Sequence, residues 1–450
     1  MILFIINYNR LEYTRNMANW AISNGLIPVI LDNGSDYEPL LKYYEITPIK
    51  VIRFNSNHGH KVLWKFPVLF EVMGVNGEYL VTDPDLDLSK VPSDFLTVMR
   101  KGLKKYPQFH KCGLSLEISD LPDTVIGKQA KEWEQQWWTK PLDDLYFDAG
   151  VDTTFALYNS RIFTIDNSLR INRPYTAKHL PWYYTNLDRI PADERNYLFT
   201  ANSSSYWNQR IMNQTDIIIS TYLVTAIDEQ RGISKKVDDL KYINTWVDSI
   251  LTCGCSGVIL HDGLSAEYIK QFPFIKFVSV PPVPKGTRLY DYRWFIIQDY
   301  LQKNPKIKNV FHTDISDCTV INNPFLQPEY KKGILYCGDE PSSIAENTWM
   351  QRMFRNPSLK KLPELTSLFT SYNRILNPGI LGGDRDTVLS FLKAFTNKLT
   401  ELKDRTYSGM ADMDVFNYVM FCGFTPQFGP PVNTIFRAYE DRKDVWFKHK

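Results

Sequence analysis

The chain has little cysteine and no Cys-x-x-Cys pair. Six cysteines occur among 450 residues. This usage argues against a disulfide framework and against a zinc site, and it predicts reduced thiols in a soluble cytoplasmic protein. The sequence Cys253-Gly254-Cys255 lacks a second cysteine pair with which to bind a metal, so it is interpreted as the end of a helix.

Long apolar runs and a strong charge imbalance are also missing. Without a run of about 18 apolar residues, the sequence predicts no membrane span. The N-terminal residues MILFIINYNR lack a basic leader and a small-residue cleavage site, so they predict a first β-strand and not a signal peptide. A net charge of +2 gives no electrostatic reason to expect a nucleic-acid partner. Low-complexity tracts are absent, which predicts a short linker between domains.

What the chain does contain is an ordinary globular composition with many aromatic residues. Hydrophobic residues make up 44% and charged residues 23% of the sequence, and its length predicts two or three domains. Aromatic residues reach 14%. Aromatic rings stack on the apolar C–H faces of sugars, and they also fill large cores, so composition leaves a carbohydrate site and a bulky core as open alternatives.

The two halves of the chain repeat one pattern. The first half has an apolar strand at 2–7, a helical stretch through Trp20, and Val-Ile-Leu at 29–31 before Asp32-Asn33-Gly34. The second half has an apolar strand at 216–222, a helical stretch through Trp246, and Val-Ile-Leu at 258–260 before His261-Asp262-Gly263. Such ordered similarity indicates duplication of one fold.

The correspondence continues downstream. Residues 49–52 match 275–278, and helices are expected near residues 64–66 and 294–295. An apolar strand then ends in acidic residues at 78–85 and again at 308–317. Short strands that alternate with helical stretches predict βαβ units and a mainly parallel sheet. We therefore expect an α/β protein with two Rossmann-like domains, residues 1–212 and 213–450.

The chemistry-bearing motif of the first half is Thr82-Asp83-Pro84-Asp85. A strand that ends in Asp-x-Asp puts two carboxylates at the carboxyl edge of a parallel sheet, where ligands bind in open α/β folds. Two such carboxylates suit a hard divalent cation, Mn²⁺ or Mg²⁺, and this cation would neutralise charge on a diphosphate. Acidic surface loops produce the same motif, so its context matters.

With this context, the sequence resembles GT-A glycosyltransferases, which transfer sugars from nucleotide-diphosphate donors. The first half resembles bacterial and viral sugar transferases of this fold in INYNR, LDNGSD, TDPDLDLS, VDTTFALY and RPYTAKHLPWY. The resemblance implies two tandem GT-A-type domains. It also implies donor-binding residues, which are Asn7, Arg10, Asp32, Asn33, Asp83, Asp148 and, in the second half, Asp262.

Further site residues of the first half follow from the same resemblance. His179 is expected to join Asp83 and Asp85 as a metal ligand, with a packed histidine as the alternative. Trp182 and Tyr183, with Tyr175 and Tyr184 beside them, are expected to contact the acceptor or else to form a core cluster. Asp152 is the preferred base for deprotonating the acceptor hydroxyl, and Asp148 and Glu117 are the alternatives. For each of these three acids, a purely structural role as a helix cap or in a salt bridge is also open.

The second half resembles retaining GT-A families 6 and 8. The matching residues are Asn377-Pro378-Gly379 and the Asp412-Met413-Asp414 sequence before Asn417. The resemblance implies that Asn377 and Asp412 lie beside the donor sugar, although Asp412 is equally expected as a helix N-cap. Asp314 and Asp317 are the expected metal ligands of this half, and they depart from the family pattern by one extra intervening residue. Two alternatives stay open, a cation held with altered geometry and a weakened site in a less active or inactive half.

The sequence therefore predicts a glycosyltransferase that uses a UDP-sugar, or alternatively a GDP-sugar, and a glycan or glycoconjugate acceptor. Both domains are active in one version of this hypothesis. In another, the second domain is degenerate and binds only the acceptor. A sugar nucleotidyltransferase is disfavoured because residues 7–16 after the first strand contain no glycine. A lectin is disfavoured because it would not need two nucleotide-type halves.

Overall fold

The computed structural model describes residues 1–186, 189–200, 215–228, 232–354, 367–368, 370–404 and 412–450. The chain divides into two compact units, Met1–Ser204 and Ser205–Lys450, which are called unit 1 and unit 2. Both units combine a large sheet with helices, so the mixed α/β class is confirmed. The predicted boundary between residues 212 and 213 lies outside the described residues.

Unit 1 alternates strands and helices through its first half and then becomes richer in strands. The strands are β1 Ile2–Asn7, β2 Ile27–Asp32, β3 Lys50–Arg53, β4 Tyr79–Thr82, β5 Leu86–Asp87, β6 Lys111–Leu116, β7 Tyr146–Asp148, β8 Ala156–Tyr158 and β9 Ser168–His179. The helices are α1 Glu12–Ser23, α2 Glu38–Ile46, α3 Val62–Lys65, α4 Val68–Val72, α5 Phe95–Lys105, α6 Val125–Glu134 and α7 Ala192–Thr200. Two 3-10 turns lie at Gln135–Trp138 and Leu180–Tyr183.

The nine strands of unit 1 form one sheet in the order β3-β2-β1-β4-β8-β6-β9-β5, with β7 paired to β9. The first four strands in this order are parallel, and β8 is antiparallel to both β4 and β6. The carboxyl ends of β1, β2 and β4 therefore lie on one edge, which brings Asn7, Asp32 and the residues after Thr82 to the same side of the sheet.

Strand β1 shows why the first half begins with an uninterrupted apolar run. Leu3 and Ile5 pack into one buried cluster, whereas Phe4 and Ile6 pack into another. Successive side chains of a strand point to opposite faces, so a strand covered on both faces needs apolar residues at every position. The same two-sided burial explains the fully buried strand β4.

Unit 2 continues the alternation with longer helices. Its strands are β10 Asp216–Tyr222, β11 Ile227–Asp228, β12 Ile233–Ser234, β13 Ser256–His261, β14 Ile275–Ser279, β15 Asn309–Thr313, β16 Cys318–Val320, β17 Leu335–Ser343, β18 Arg374–Asp384, β19 Pro426–Gln427 and β20 Phe447–His449. Its helices are α8 Leu240–Thr252, α9 Ala266–Ile269, α10 Leu289–Lys303, α11 Thr348–Phe354, α12 Arg385–Asp404 and α13 Asp412–Gly423, with a 3-10 turn at Pro324–Leu326.

The main sheet of unit 2 has the order β14-β13-β10-β15-β18-β17-β19. The first four strands are again parallel, and β18 is again antiparallel to both of its neighbours. This order repeats β3-β2-β1-β4-β8-β6 of unit 1, strand for strand. Asp83 follows β4 and Asp314 follows β15, so the two acids come after equivalent strands.

The cysteines of the chain form no disulfide bond, and Cys253 lies at the predicted helix end. All six cysteines are free thiols, and Cys253 and Gly254 lie at the carboxyl end of α8, where Gly254 has a φ of +61°. Left-handed backbone of this kind is common just after a helix. Within the described ranges, no helix is long and apolar enough to cross a membrane.

Candidate active sites

An ion-pair chain links the end of β1 to the acidic motif of unit 1. The Arg10 guanidinium lies 3.0 Å from Asp85 Oδ2, and the Asp85 side chain is only 5% exposed. Burial by itself would raise the pKa of Asp85, but the attraction of Arg10 and His179 outweighs it and holds the pKa well below its usual range. Asp85 is therefore a buried carboxylate that stays ionised.

Helix α7 fixes Arg10 in place. Glu194 accepts two hydrogen bonds from the guanidinium, at 2.6 and 2.9 Å, and the guanidinium lies 3.8 Å from the ring centroid of Tyr197. The neighbouring Asp193 accepts hydrogen bonds from the amides of Leu11 and Glu12, at 2.6 and 2.7 Å. These amides begin α1, so α7 caps this helix in place of a local N-cap side chain.

Asp83 is half-buried beside two other carboxylates. The Thr153 hydroxyl donates to both of its oxygens, at 3.0 and 2.8 Å. Burial, and then the negative charges of Asp152 and Asp85, raise the pKa of Asp83 to about 7. Repulsion between close carboxylates is relieved by a proton or by a cation, so this cluster favours bound positive charge.

His179 reaches Asp85 from the end of β9. Leu86 and His179 are cross-strand partners, and His179 Nε2 lies 3.3 Å from Asp85 Oδ2. Burial opposes protonation of the ring, but Asp85 raises the pKa of His179 overall. The ring packs on Trp182 with centroids 4.7 Å apart. His179 is thus packed against an aromatic ring and contacts one of the two expected metal ligands, and its role as a metal ligand stays a prediction.

The residues of this edge fit a hard divalent cation by their chemistry. Asp85 Oδ1 and His179 Nδ1 are buried and have no hydrogen-bond partner in the described part of the chain. The described residues hold no group of three His, Cys, Asp or Glu side chains that encloses a metal site. A site with one or two carboxylates still suits a Mg²⁺-type ion, because such ions take substrate phosphates and water as their other ligands.

The predicted donor residues around β1 and β2 form a tightly bonded loop. The fully buried Asp32 accepts from the Ser35 hydroxyl, from the Tyr44 hydroxyl at 3.1 Å and from Arg53 Nε at 3.2 Å. Asn7 Nδ2 also donates to the Tyr44 hydroxyl, at 2.8 Å. Asp32 therefore shapes this loop, and its carboxylate has three protein partners already.

Asn33 holds the loop that follows β3. Its side chain donates to the carbonyl of Gly59 at 3.2 Å and accepts from the amide of His58 at 3.3 Å. Next to it, Gly34 has a φ of +75°, and a Cβ there would lie 2.9 Å from the backbone of Ser56. The close backbone approach requires glycine in the predicted Asp-Asn-Gly motif.

The three candidate bases of unit 1 differ in their surroundings. Glu117 is ion-paired to Arg173 at 2.7 Å, and this hydrogen bond lowers its pKa far below the usual range. Asp148 is exposed at the end of β7. Asp152 is exposed, accepts from the amide of Thr154 at 3.0 Å, and lies close enough to Asp83 to raise its pKa. Of the three, Asp152 is the carboxylate that adjoins the acidic cluster.

The aromatic residues near His179 are not one continuous wall. Tyr184 is buried, with its hydroxyl paired to that of Tyr13, whereas Trp182 and Tyr183 are half-buried. The Tyr183 hydroxyl donates to Asp120 at 2.7 Å. Trp182 and Tyr183 thus retain surface that an acceptor could contact, and Tyr184 belongs to the core.

In unit 2, Arg293 bridges two predicted site residues. This arginine lies on α10, and its guanidinium contacts Asp314 at 2.6 Å and Asp412 at 3.2 Å. Burial opposes ionisation of Asp314, but Arg293 lowers the pKa of this acid well below its usual range. Burial is the larger effect at Asp412 and raises its pKa. Asp412 begins α13, and Arg293 links this helix to the strand-end acid.

Asn377 lies on β18, one strand away from Asp314. Its Oδ1 accepts from the amide of Gly379 at 2.8 Å, and its Nδ2 donates to Glu340 Oε1 at 2.9 Å. The carbonyl of Gly379 in turn accepts from the amide of Asp314 at 2.8 Å. Asn377, Glu340 and Asp314 are therefore connected through one short stretch of β18. Burial raises the pKa of the Glu340 carboxyl.

His449 was not among the predicted site residues, although it corresponds in position to His179. Cys318 and His449 are cross-strand partners in β16 and β20, just as Leu86 and His179 are in β5 and β9. Burial lowers the pKa of His449 to about 4, and the charges of Asp314 and Asp317 act in the opposite direction, so both acids are near the ring. The sequence alone does not place His449 near the acidic residues, because the pairing of its strand β20 with β16 appears only in the folded structure.

A pocket at the carboxyl edge of unit 2 collects several of these groups. Its lining includes Thr221, Lys235, Tyr242, Arg293, Asp314 and Asp317. The hairpin of β11 and β12 follows β10, whereas in unit 1 only four residues separate β1 from α1. Asp262 accepts from the amide of Val224 at 2.6 Å and thereby holds the start of the longer loop.

Comparison with models of known protein families and with curated proteins found no match to this chain.

Proposed function

We propose that this protein is a metal-dependent glycosyltransferase with two GT-A-type units. The observation that carries the proposal is the Asp83-Pro84-Asp85 motif after β4, because it forms an acidic cluster with Asp152 at the carboxyl edge of a parallel sheet. Ligands of open α/β sheets bind at this edge. The repeated strand order and the acids after β15 support a second site of the same kind in unit 2.

In unit 1, Asp83 and Asp85 would hold Mn²⁺ or Mg²⁺, with His179 beside them. When bound, the cation supplies charge neutralisation for the diphosphate of a nucleotide sugar. Arg10 keeps Asp85 ionised, and Thr153 orients the Asp83 carboxylate. The loops that contain Asn7, Asp32 and Asn33 would bind the nucleoside of a UDP-sugar or GDP-sugar.

Asp152 is the group that accepts the proton of the acceptor hydroxyl in this proposal. Its side chain is exposed, so an acceptor has access to it, and the Thr154 amide orients one of its oxygens. A base aimed at the acceptor belongs to an inverting reaction, and general-base catalysis contributes about 10²–10⁴-fold. Trp182 and Tyr183 would contact a glycan or glycoconjugate acceptor.

In unit 2, Asn377 and Asp412 would lie beside the donor sugar, and Asp314, Asp317 and His449 would face the metal. This unit would form a second linkage with retention if it is active. A second candidate function is acceptor binding without catalysis, and the contact of Arg293 with both Asp314 and Asp412 favours it. In unit 1 the equivalent acid, Asp83, bonds the Thr153 hydroxyl, and Arg10 contacts Asp85 beside it. In unit 2 the arginine contacts Asp314 itself, which lowers the affinity of this acid for a cation.

Transfer assays with single substitutions test the proposal. Purified protein is screened with UDP- and GDP-sugars, Mn²⁺ or Mg²⁺ and simple glycan acceptors. Asp83→Asn should lower one transfer activity at least about a hundredfold, the usual effect of losing a principal electrostatic group. Asp412→Asn should lower a different activity. Asp123→Asn and Asp386→Asn are controls, because these side chains are 87% and 84% exposed.

The outcomes separate the alternatives. NMR of the anomeric proton of each product reports inversion or retention. If Asp412→Asn alters no transfer reaction, unit 2 is an acceptor-binding domain. If the wild type transfers or hydrolyses no nucleotide sugar with either cation, the proposed function is wrong.

A further inference from the structure

Lys111 is a lysine in the core of unit 1. It opens strand β6, and only 1% of the residue is exposed. Its ammonium donates to the carbonyl of Val151, and it lies 3.3 Å from the carbonyl of Asp152 and 3.4 Å from the hydroxyl of Tyr158. The ammonium also lies 5.1 Å from the ring centroid of Tyr158.

A buried ammonium is costly unless hydrogen bonds replace its water. Burial lowers the pKa of Lys111 to about 8, and the charge of Asp152 acts in the opposite direction. The side chain therefore keeps its proton at neutral pH, with three oxygen partners for its three N–H donors. A methionine would fill the same space beside the Tyr158 ring but would leave the Val151 carbonyl without this donor.

The two carbonyls that Lys111 holds belong to Val151 and to the candidate base Asp152, in the turn before β8. The Tyr158 hydroxyl on β8 also donates to the Asp152 carbonyl, at 3.0 Å, and the Asp152 carboxylate accepts from the Thr154 amide at 3.0 Å. Lys111 thus holds the main chain of Asp152, a candidate base, and of the residue before it.

We propose that Lys111 is a positioning residue, which anchors the main chain of Val151 and Asp152 from inside the core and thereby sets the position of the Asp152 carboxylate. The inference rests on the proposed function, because the anchored turn contains the acceptor-facing Asp152. Displacement of a catalytic group by about 1 Å can lower a rate by about a hundredfold. Replacement of Lys111 should therefore lower kcat more than it changes the KM for the donor.

The kinetic test is Lys111→Met in the full chain. We expect kcat of the unit 1 reaction to fall about tenfold to a hundredfold, while KM for the donor changes less than about threefold. Lys101→Met is the matched control, since Lys101 is an exposed lysine of α5, and its kinetic constants should remain those of the wild type. An equal loss in donor affinity, or an unchanged kcat, would overturn the proposal.

A double-mutant cycle tests whether Lys111 acts through the turn. Asp152→Asn is combined with Lys111→Met, and kcat is compared with that of each single variant. If the two residues act together, the double variant should be no slower than Asp152→Asn. Losses that multiply would show that Lys111 affects the unit generally and not through Asp152.

Hydrogen exchange measured by mass spectrometry separates failure of this inference from failure of the proposed function. Lys111→Met should speed exchange in peptides that contain residues 151–157 and leave peptides from β1 and β2 unchanged. This readout needs no substrate, so it decides the anchoring role even if no transfer activity is found. Unchanged exchange in 151–157 would refute the anchor.

Tyr158→Phe provides a second variant if Lys111→Met does not fold. It keeps the ring and removes the hydroxyl that donates to the Asp152 carbonyl. The same local increase in exchange and the same fall in kcat are expected, each smaller than in Lys111→Met. An exchange rate that rises throughout unit 1 would contradict a local role.

Discussion

Replacement of Arg10 by methionine should destabilise unit 1 more than any loss of a surface ion pair. Arg10 contacts Asp85 and Glu194, and the three side chains are 11%, 5% and 0% exposed. Removing one partner of a buried ion pair costs about 3–5 kcal/mol, because it leaves an uncompensated charge. Methionine retains apolar contact with the Tyr197 ring, so most of this loss is electrostatic.

Proton uptake sets the pH dependence of this effect. Burial already raises the pKa of the Glu194 carboxyl against the attraction of Arg10, and Arg10 is the main group that lowers the pKa of Asp85. Loss of Arg10 would raise the pKa of both carboxyls, so the folded variant binds more protons than the folded wild type. Its stability deficit should therefore be largest at pH 7 and should shrink towards pH 5. A loss of about 3–5 kcal/mol corresponds to a fall in Tm of about 6–20 °C for a unit of this size.

Urea unfolding followed by hydrogen exchange of unit 1 peptides measures the free energy of unfolding of this unit in the full chain. Arg100→Met is the control, because Arg100 pairs with Glu78 at the surface and such pairs contribute about 0–1 kcal/mol. A deficit below about 1 kcal/mol for Arg10→Met at pH 7, or one that grows towards pH 5, would refute the reasoning.

Three further predictions concern stability. Asn417→Ala should lower the free energy of unfolding of unit 2, measured in urea, by about 2–4 kcal/mol. The reason is that Asn417 bonds both the amide and the carbonyl of buried Leu376, each at 2.9 Å. A loss below about 1 kcal/mol would contradict this prediction. Gly382→Ala should cost about 1–3 kcal/mol or more, since a Cβ would lie 2.1 Å from the Phe311 ring, and an unchanged Tm would contradict it. The pKa of Lys111 is lowered to about 8 in the folded protein, so between pH 8 and about 10.4 the unfolded chain binds more protons than the folded one. The free energy of unfolding of unit 1 should therefore rise by about 3 kcal/mol over this range. Lys111→Met should lack this rise, and an identical rise in both proteins would contradict the prediction.

The parts of the fold that sequence analysis predicted are those with local signals. Apolar residues fill most positions at 2–7 and 216–222, and these stretches form β1 and β10 with the same bounds, because strands buried on both faces are rich in apolar residues. The expected helix near residues 64–66 is instead two short helices, α3 and α4, separated at Pro67. Proline lacks an amide donor and starts a new helical turn there.

The parts that could not be predicted depend on pairings between distant residues. Arg10 and Glu194 are separated by 184 residues, and nothing near either residue indicates the other. Lys111 occupies a strand position where a lysine is ordinarily expected to face water. His449 comes beside the acidic motif only through the pairing of β20 with β16. The position of the acids at a strand end was thus predictable, and their supporting partners were not.

Isothermal titration calorimetry with nucleoside diphosphates tests the central claim most directly. UDP and GDP are titrated into wild-type protein and into Asp83→Asn, in Mn²⁺ and then in EDTA, with Asp123→Asn as the surface control. The account predicts that at least one nucleotide binds the wild type in Mn²⁺, that EDTA weakens this binding at least about tenfold, and that Asp83→Asn weakens it similarly. Binding that is the same in Mn²⁺ and EDTA, or no binding of either nucleotide, would contradict a metal-dependent nucleotide-sugar site after β4.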